Sequence, residues 1–546
     1  MTGINERERY QRQQLIEGWN QQKLTDATVT IVGSASLAQY VALPLAALGV
    51  GSVRLVDATP AHNERFLDLP IREGPRVHGL EQILRRINPT IAVRGIASSV
   101  VSDTSTYFLE KSSIIVEATN DPRSKAITLG YANEKGIPVI VASSKAKYGK
   151  VMLYHRGGED VRYLLPEFDE EEQDEVVSMV LGGLIAEEVK KLLMGEEKLE
   201  KTIYYNLTNP LRFTYHPGDY GRNGSDFTGK SVLMVGAGAL GNFVGLGLAK
   251  LGIGRVDVID PDGIEDTNLN RQVLFYNAVG RLKATALSKK IKVMGNGKVD
   301  SEAFKDTFTE KSEFPRRYDA IFDCVDNFTV RAVIHDYAVG HKIPLISGGT
   351  DFKEGQLAIY VPGKTACLDH QMEIHRLGKE AEEQRRQAGC LLAPNPSVIM
   401  SNQVIGGMMV AEVRTVFDSK IHGEPFNGNM KYSSLSELRL GMTPLKTVCA
   451  CEPKGGITIE PREVPAEREE TDIVHELELQ LQDEPDLPEK EDEKENEKEK
   501  GKEGLLPREE PLYQTEGGGI EDEDEIAQLL SKGPKRKKGG MFDTFR

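Results

Sequence analysis

Long apolar runs and paired cysteines are both scarce in this 546-residue chain, and each shortage excludes something. No run reaches the roughly 18 apolar residues of a transmembrane helix. The first fourteen residues are polar and charged, unlike a secretory leader. A cytoplasmic chain with no membrane partner is expected. Five cysteines at irregular spacing outline no disulfide framework. Hydrophobic residues reach only 39%, low for a globular chain, but the deficit is local. From Ile457 to Arg546 there are 28 acidic and 14 basic residues, so this stretch carries −14 of the total −16. The remainder is nearly neutral, and the acidity therefore says little about a substrate. Too few apolar groups stand in this tail to offset ordering entropy, so 456–546 is expected to be a disordered charged tail. The helix-like stretch Ile520–Leu530 and the basic cluster Lys535-Arg536-Lys537-Lys538 read as solubilising ends, with no nucleic-acid partner expected.

What is present is a duplication. Val32-Gly33-Ser34-Ala35-Ser36-Leu37 lines up with Val235-Gly236-Ala237-Gly238-Ala239-Leu240, an offset of 203 residues. Leu48-Gly49-Val50-Gly51 lines up with Leu251-Gly252-Ile253-Gly254, and Asp57 with Asp260. Two copies of roughly 200 residues suit a chain of this length. The expected domains are 1–218 and 219–455, followed by the tail.

Each copy opens as strand, turn and helix. In the second, Ser231–Val235 is a short buried-strand run, Gly236-Ala237-Gly238-Ala239-Leu240-Gly241 the turn, and Arg255–Asp260 the returning strand. The first glycine permits a tight turn, the second admits a phosphate to backbone N–H groups, and the third packs helix on strand. Asp260 ends the second strand, where a carboxylate can hold ribose hydroxyls. On this motif alone a nicotinamide-dependent (NAD) oxidoreductase is an equal reading. A triphosphate site, however, needs cations for the β- and γ-phosphates and a carboxylate for Mg²⁺. Arg271, Lys283 and Asp326 fill those roles near the C-terminal edge of a parallel sheet.

The set Gly236-x-Gly238-x-x-Gly241, Asp260, Asn268-x-x-Arg271-Gln272, Gly280-x-x-Lys283 and Asp323-x-x-Asp326-Asn327 resembles the ThiF/MoeB/ubiquitin-activating superfamily, from about Arg9 to Cys451. The resemblance implies an α/β fold: two tandem Rossmann-like adenylation domains forming an intramolecular pseudo-dimer, a monomer acting as its own dimer. It implies ATP-dependent adenylation of the C-terminal glycine of a β-grasp, ubiquitin-like protein ending in Gly-Gly, with a conjugating enzyme as a further partner. The alternative is sulfur-carrier activation of the thiamine, molybdopterin or tRNA-thiolation type, with a sulfurtransferase partner. Inactive half first and active half second resembles the eukaryotic ubiquitin-activating layout, which favours the first.

The first copy departs from the pattern. Gly238 becomes Ala35, Gly241 becomes Ala38, Lys283 becomes Val77 and Asp326 becomes Asn120, so this half is expected not to bind ATP. The family's R-Y-x-R-Q pattern appears as Arg9-Tyr10-Gln11-Arg12-Gln13 ahead of the first copy only. By resemblance, Arg12 reaches across to the ATP of the second copy. Cys390, in Gln387-Ala388-Gly389-Cys390, stands near the place of a reactive family cysteine that attacks the acyl-adenylate, though displaced from it by several residues. Cys367, His370, Cys449 and Cys451 occupy the places where relatives bind structural Zn²⁺, and three thiolates with one imidazole make a tetrahedral set. Between Thr365 and Pro394 there is no room for a large inserted cysteine domain. The substrate tail is expected to lie along Ser347-Gly348-Gly349-Thr350.

Overall fold

One strand order is built twice along the chain. The computed structural model describes residues 6–154, 173–207, 209–217, 224–388, 396–437 and 439–467. Cys390, Lys535–Lys538 and all of the expected tail beyond Glu467 lie outside these residues. The first sheet holds β1 (Thr28–Val32), β2 (Ser52–Val56), β3 (Ala92–Ile96), β4 (Ile114–Glu117), β5 (Val139–Lys145), β6 (Tyr148–Tyr154), β7 (Ile203–Asn206) and β8 (Phe213–Thr214). The second holds β9 (Ser231–Val235), β10 (Arg255–Ile259), β11 (Ala303–Phe304), β12 (Ala320–Asp323), β13 (Leu345–Thr350), β14 (Glu354–Tyr360), β15 (Gly428–Ser433) and β16 (Leu440–Pro444). The spatial orders are 3-2-1-4-5-6-7-8 and 11-10-9-12-13-14-15-16, the same topology. In each, the first five strands are parallel and the remainder antiparallel.

The parallel strands read as apolar runs because helices cover both of their faces. In the first half these are α1 (Ser36–Leu48), α2 (Arg76–Ile87), α3 (Pro122–Lys135) and α4 (Glu175–Met194). The second half has α5 (Ala239–Leu251), α6 (Lys283–Met294), α7 (Phe328–His341), an additional α8 (Ile374–Ala388) and α9 (Ile399–Phe417). The helices α4 and α9 are buried along almost their whole length, as expected of elements apolar all round. They pack on each other with approximate two-fold symmetry. A methyl group on Gly183 would lie 2.8 Å from Val404, and one on Gly407 would lie 2.8 Å from Val180. Only glycine lets the two backbones come this close.

Ion pairs obey the same symmetry. Arg212 of the first half donates to the Glu412 carboxylate in α9, from Nε at 2.5 Å and from Nη2 at 3.0 Å. Arg439 of the second half donates to Glu188 in α4, from Nε at 3.1 Å and from Nη2 at 2.7 Å. Both arginines have left-handed backbones, φ 56° and 64°. All four side chains are buried. The described residues fall within one compact unit, so the halves form a single pseudo-dimeric body. Among the described residues, no helix is long and apolar enough to cross a membrane.

Candidate active site

The turn between β9 and α5 is shaped by backbone rather than by side chains. Gly236 has φ +96°, a conformation that L side chains rarely adopt, and its N–H donates to Ile259 O at 2.9 Å. A methyl group on Gly241 would meet Gly236 O at 2.2 Å, whereas one on Gly238 would meet nothing within 4 Å. Gly238 therefore faces open space beside the start of α5, where a helix dipole favours an anion. Asn242 braces the turn, donating to Ala237 O (3.2 Å) and Gly238 O (2.9 Å) and accepting from Leu274 N (2.9 Å).

Asp260 follows β10 and accepts from Ala237 N at 2.7 Å and Asp262 N at 2.8 Å. Burial pushes its carboxyl up, and Lys283 opposes that shift. Lys283 opens α6 and pairs with Asp262 at 3.0 Å. Burial also acts upward on Asp262, but Lys283 and Arg462 together hold it below the ordinary range. Asn268 closes a reciprocal cap on Glu265, accepting from Glu265 N at 3.1 Å, and its own carbonyl receives the N–H groups of Arg271 and Gln272. The side-chain oxygen of Gln272 is buried without a hydrogen-bond partner.

Arg271 is 8% exposed, and its Nη1 donates at 2.8 Å to two neutral acceptors, Thr267 O and Asn270 Oδ1. Burial, and after it the neighbouring Arg12 guanidinium, push Arg271 down to about 10, with Asp326 and Glu265 pulling the other way. Guanidinium stays protonated at neutral pH, so Arg271 is a buried cation with a second cation beside it. An anion bound between them would relieve their repulsion.

Arg12 thus stands beside the second half's site although it belongs to the N-terminal segment of the first half. Arg9 donates to Ile87 O at 3.0 Å, and the Tyr10 hydroxyl accepts from Asn88 Nδ2 at 2.7 Å. Gln13 donates to Leu48 O at 3.0 Å and accepts from Asn270 Nδ2 at 3.1 Å. Arg12 O accepts from Ser397 N of the second half at 3.3 Å. Sequence reasoning picked out Arg12 and missed the Gln13–Asn270 bridge. A glutamine inside the quoted pattern was the available signal.

Asp326 is exposed in the loop after β12, with an oxygen ligand's chemistry for Mg²⁺. Its loop is held from below by Arg331, which the sequence did not single out. Arg331 pairs with buried Asp323 at 3.0 Å and donates to Ser347 Oγ and Val325 O, each at 2.6 Å. The first half keeps the same brace as Lys125 and Glu117, 2.6 Å apart and both fully buried. Beyond Ser347, residues Gly348–Thr350 pair only with β14 and extend past β12.

The equivalent turn in the first half is occupied by the chain itself. Leu37 N, an N–H without an intrahelical partner at the start of α1, donates to Gln173 Oε1 at 2.8 Å. The Glu175 carboxylate accepts from Ser36 Oγ and Tyr40 OH, both at 2.9 Å. A carboxylate thus sits beside the start of α1.

Away from this site, Cys367, His370, Cys449 and Cys451 bring their ligand atoms within 4.8 Å of one another. His370 Nδ1 lies 3.3 Å from Cys367 Sγ and 3.6 Å from Cys451 Sγ. The donor set suits Zn²⁺. His375 links Asp369, between Cys367 and His370 in the short helix Leu368–Met372, at 2.7 Å to Asp336 on α7 at 3.0 Å. Cys324 is buried in the core, and burial pushes its thiol well up.

Two copies of one strand order, differing at the glycine turn and joined by a cross-braced pair of helices, define a tandem Rossmann-like α/β protein. The ThiF family model matches residues 9–223 and again 220–451, and the chain belongs to the ThiF family. It is similar to the sulfur carrier protein adenylyltransferase of Thermus thermophilus, 31% identical over 243 residues, 41% of this chain and 83% of that protein. It is also similar to the adenylyltransferase and sulfurtransferase MOCS3 of Anopheles gambiae, 38% identical over 133 residues, 24% of this chain and 30% of that protein. With MOCS3 of Caenorhabditis briggsae the identity is 30% over 240 residues, 43% of this chain and 58% of that protein. The chain therefore spans between 30% and 58% of the length of these two MOCS3 relatives. The crystal structure of Escherichia coli MccB with ATP is similar at 23% identity, over 42% of this chain and 68% of that one, with a TM-score of 0.35.

Proposed function

We propose that the second half binds ATP·Mg²⁺ and adenylates the C-terminal glycine carboxylate of a β-grasp, ubiquitin-like protein. The first half, about 1–218, serves as a non-catalytic partner that supplies Arg12. The observation that carries this reading is the crowding of buried Arg271 by Arg12 beside an open glycine turn. Two guanidinium groups brought to one mouth suit a polyanion, whereas a dinucleotide pyrophosphate needs little beyond backbone.

Asp260 is the ribose ligand, the Gly236–Gly241 turn meets the α-phosphate, and Arg271 and Lys283 take the distal phosphates, with Asn268 and Gln272 shaping the loop. Asp326 would hold Mg²⁺, which supplies neutralisation of phosphate charge. A substrate carboxylate oxygen forms a bond to the α-phosphorus as the bond to the β-phosphate oxygen breaks, giving acyl-AMP and pyrophosphate. The nucleophile is already an anion, so no general base is needed. Positioning and charge stabilisation provide the rate. The unpaired edge of Gly348–Thr350 supports an extended tail lying there. Zn²⁺ held by Cys367, His370, Cys449 and Cys451 is structural.

The named relatives favour the sulfur-carrier form of this chemistry over modifier activation. A sulfur carrier leaves as thiocarboxylate through a sulfurtransferase partner, whereas a modifier leaves on a thioester, with Cys390 as the candidate thiol, toward a conjugating enzyme. Mass spectrometry of the product distinguishes them. Acyl-AMP that yields no enzyme-bound thioester, with Cys390→Ser retaining full adenylation, supports the sulfur-carrier form. A thiol-sensitive adduct lost in Cys390→Ser supports the other. NAD binding without ATP binding would establish the dehydrogenase reading instead.

A further inference from the structure

The first half retains a cleft of about 760 Å³ at the C-terminal ends of β1, β2 and β4, in the position where the second half has its proposed nucleotide site. Its wall includes Ser34, Asp57, Arg65, Asn120 and Gln173, together with Lys250 from the end of α5. Two features exclude a phosphate from it. Gln173 already accepts the Leu37 N–H at the start of α1, and Glu175, bound to the Ser36 and Tyr40 hydroxyls, brings a negative charge there. The cations are also engaged: Arg76 pairs with Glu64 at 2.7 Å, Arg65 donates to Asp68 O at 2.6 Å, and Lys250 donates to Arg65 O at 2.8 Å.

Two features point to a neutral ligand rich in donors. Asp57 keeps the place of Asp260. Its carboxylate accepts from Thr59 N (2.9 Å), Thr59 Oγ1 (2.7 Å) and Ser34 Oγ (2.5 Å), which leaves capacity for a further donor among about four lone-pair directions. Asn120, 5% exposed, donates from Nδ2 to Ser144 O at 3.1 Å, while its Oδ1 is buried without a partner. Asn120 replaces Asp326, so a metal-binding carboxylate has become an amide acceptor with nothing to accept. A buried acceptor left unpaired is costly, and a ligand hydroxyl or N–H would relieve it.

We propose that the cleft of the first half is a second ligand site, selective for a neutral ribonucleoside over the corresponding nucleotide. Ribose hydroxyls donate to Asp57, and the nucleoside's remaining donors reach Asn120 Oδ1. The assignment of ribose to Asp57 rests on the reading of Asp260 as a ribose ligand.

The test is equilibrium dialysis of radiolabelled adenosine against the full chain carrying Asp260→Ala and Arg271→Ala, which disables the second half. One saturable equivalent of adenosine is expected, not displaced by a tenfold excess of ATP. Adding Asp57→Ala weakens binding at least roughly tenfold, and Asn120→Leu weakens it too. Should Asp57→Ala fail to fold, Ala35→Leu, which narrows the cleft, takes its place. No saturable adenosine binding, equal displacement by ATP, or binding indifferent to both Asp57→Ala and Asn120→Leu overturns the proposal. Pyrophosphate exchange by the unsubstituted chain, run in parallel, separates the two readings. Exchange without nucleoside binding refutes only the second site, and nucleoside binding without exchange refutes only the adenylation.

Discussion

Gln13 Oε1 accepts a hydrogen bond from Asn270 Nδ2 at 3.1 Å, joining the N-terminal segment of the first half to the loop that carries Arg271. Gln13 is fully buried and also donates to Leu48 O and Gln21 Oε1. Asn270 in turn accepts from Arg271. Arg271, the proposed phosphate ligand, is therefore oriented through Asn270 by a residue from the other half. Gln13→Ala leaves the Asn270 amide unpaired, which costs about 1–3 kcal/mol. An exchange rate lowered roughly tenfold, or more, at saturating substrate checks this.

Arg12→Ala should lower exchange by about 10²-fold or more, the usual scale for removing a charge that stabilises a transition state. Its melting temperature should stay near that of the unsubstituted chain, because Arg9, Tyr10 and Gln13 anchor the segment. A first-half fragment containing Arg12 should not exchange on its own.

The paired bridges Arg212–Glu412 and Arg439–Glu188 make a stability prediction. Removing one partner of a buried pair leaves an uncompensated charge and costs about 3–5 kcal/mol. Arg212→Ala and Glu412→Ala should each produce that loss in denaturant unfolding. Replacing both partners with apolar residues of similar volume, Arg212→Met with Glu412→Leu, should recover most of it.

If Cys367, His370, Cys449 and Cys451 hold Zn²⁺, purified protein contains about one equivalent, and a strong chelator lowers its melting temperature. Cys449→Ser should reproduce the chelated state and bind no metal. Adenylation should weaken less than stability, because this cluster does not border the glycine turn.

Asp262 gives a pH signature. Lys283 and Arg462 hold its carboxyl below the unfolded value of about 3.9. A depressed carboxylate stabilises the fold above the unfolded value, and that contribution disappears as pH falls through the folded value. Melting temperatures of the unsubstituted chain and Asp262→Asn should differ at pH 6 and converge below pH 4. The side chain is 42% exposed, so solvent screening keeps the effect small.

The duplication, the repeated turn and the asymmetry between halves were all legible in the residues, because glycine positions and apolar strand runs are local signals. Arg271, Lys283, Asp326 and Asp260 stand out as candidates for the same kind of reason, each lying in a short motif, and their roles are those proposed above. Three features were not. The Gln173 and Glu175 plug lies 136 and 139 residues from the groups it contacts. The Arg212–Glu412 bridge spans 200 residues. The brace of Arg331 on Ser347 and Val325 joins a helix to a strand end and a loop. Such contacts depend on tertiary placement, which no local spacing encodes. The expectation that the first half takes no ATP rests on lost glycines, a lost lysine and a lost carboxylate, and the fold adds the Glu175 carboxylate beside the start of α1.

The most direct measurement is ATP–pyrophosphate exchange with a β-grasp protein ending in Gly-Gly, comparing the unsubstituted chain with Arg271→Ala and Asp326→Ala. The account predicts exchange that depends on the β-grasp protein and is lost in both variants. Exchange that persists in either variant would contradict the site, and its absence in unsubstituted protein that still binds ATP would contradict the substrate.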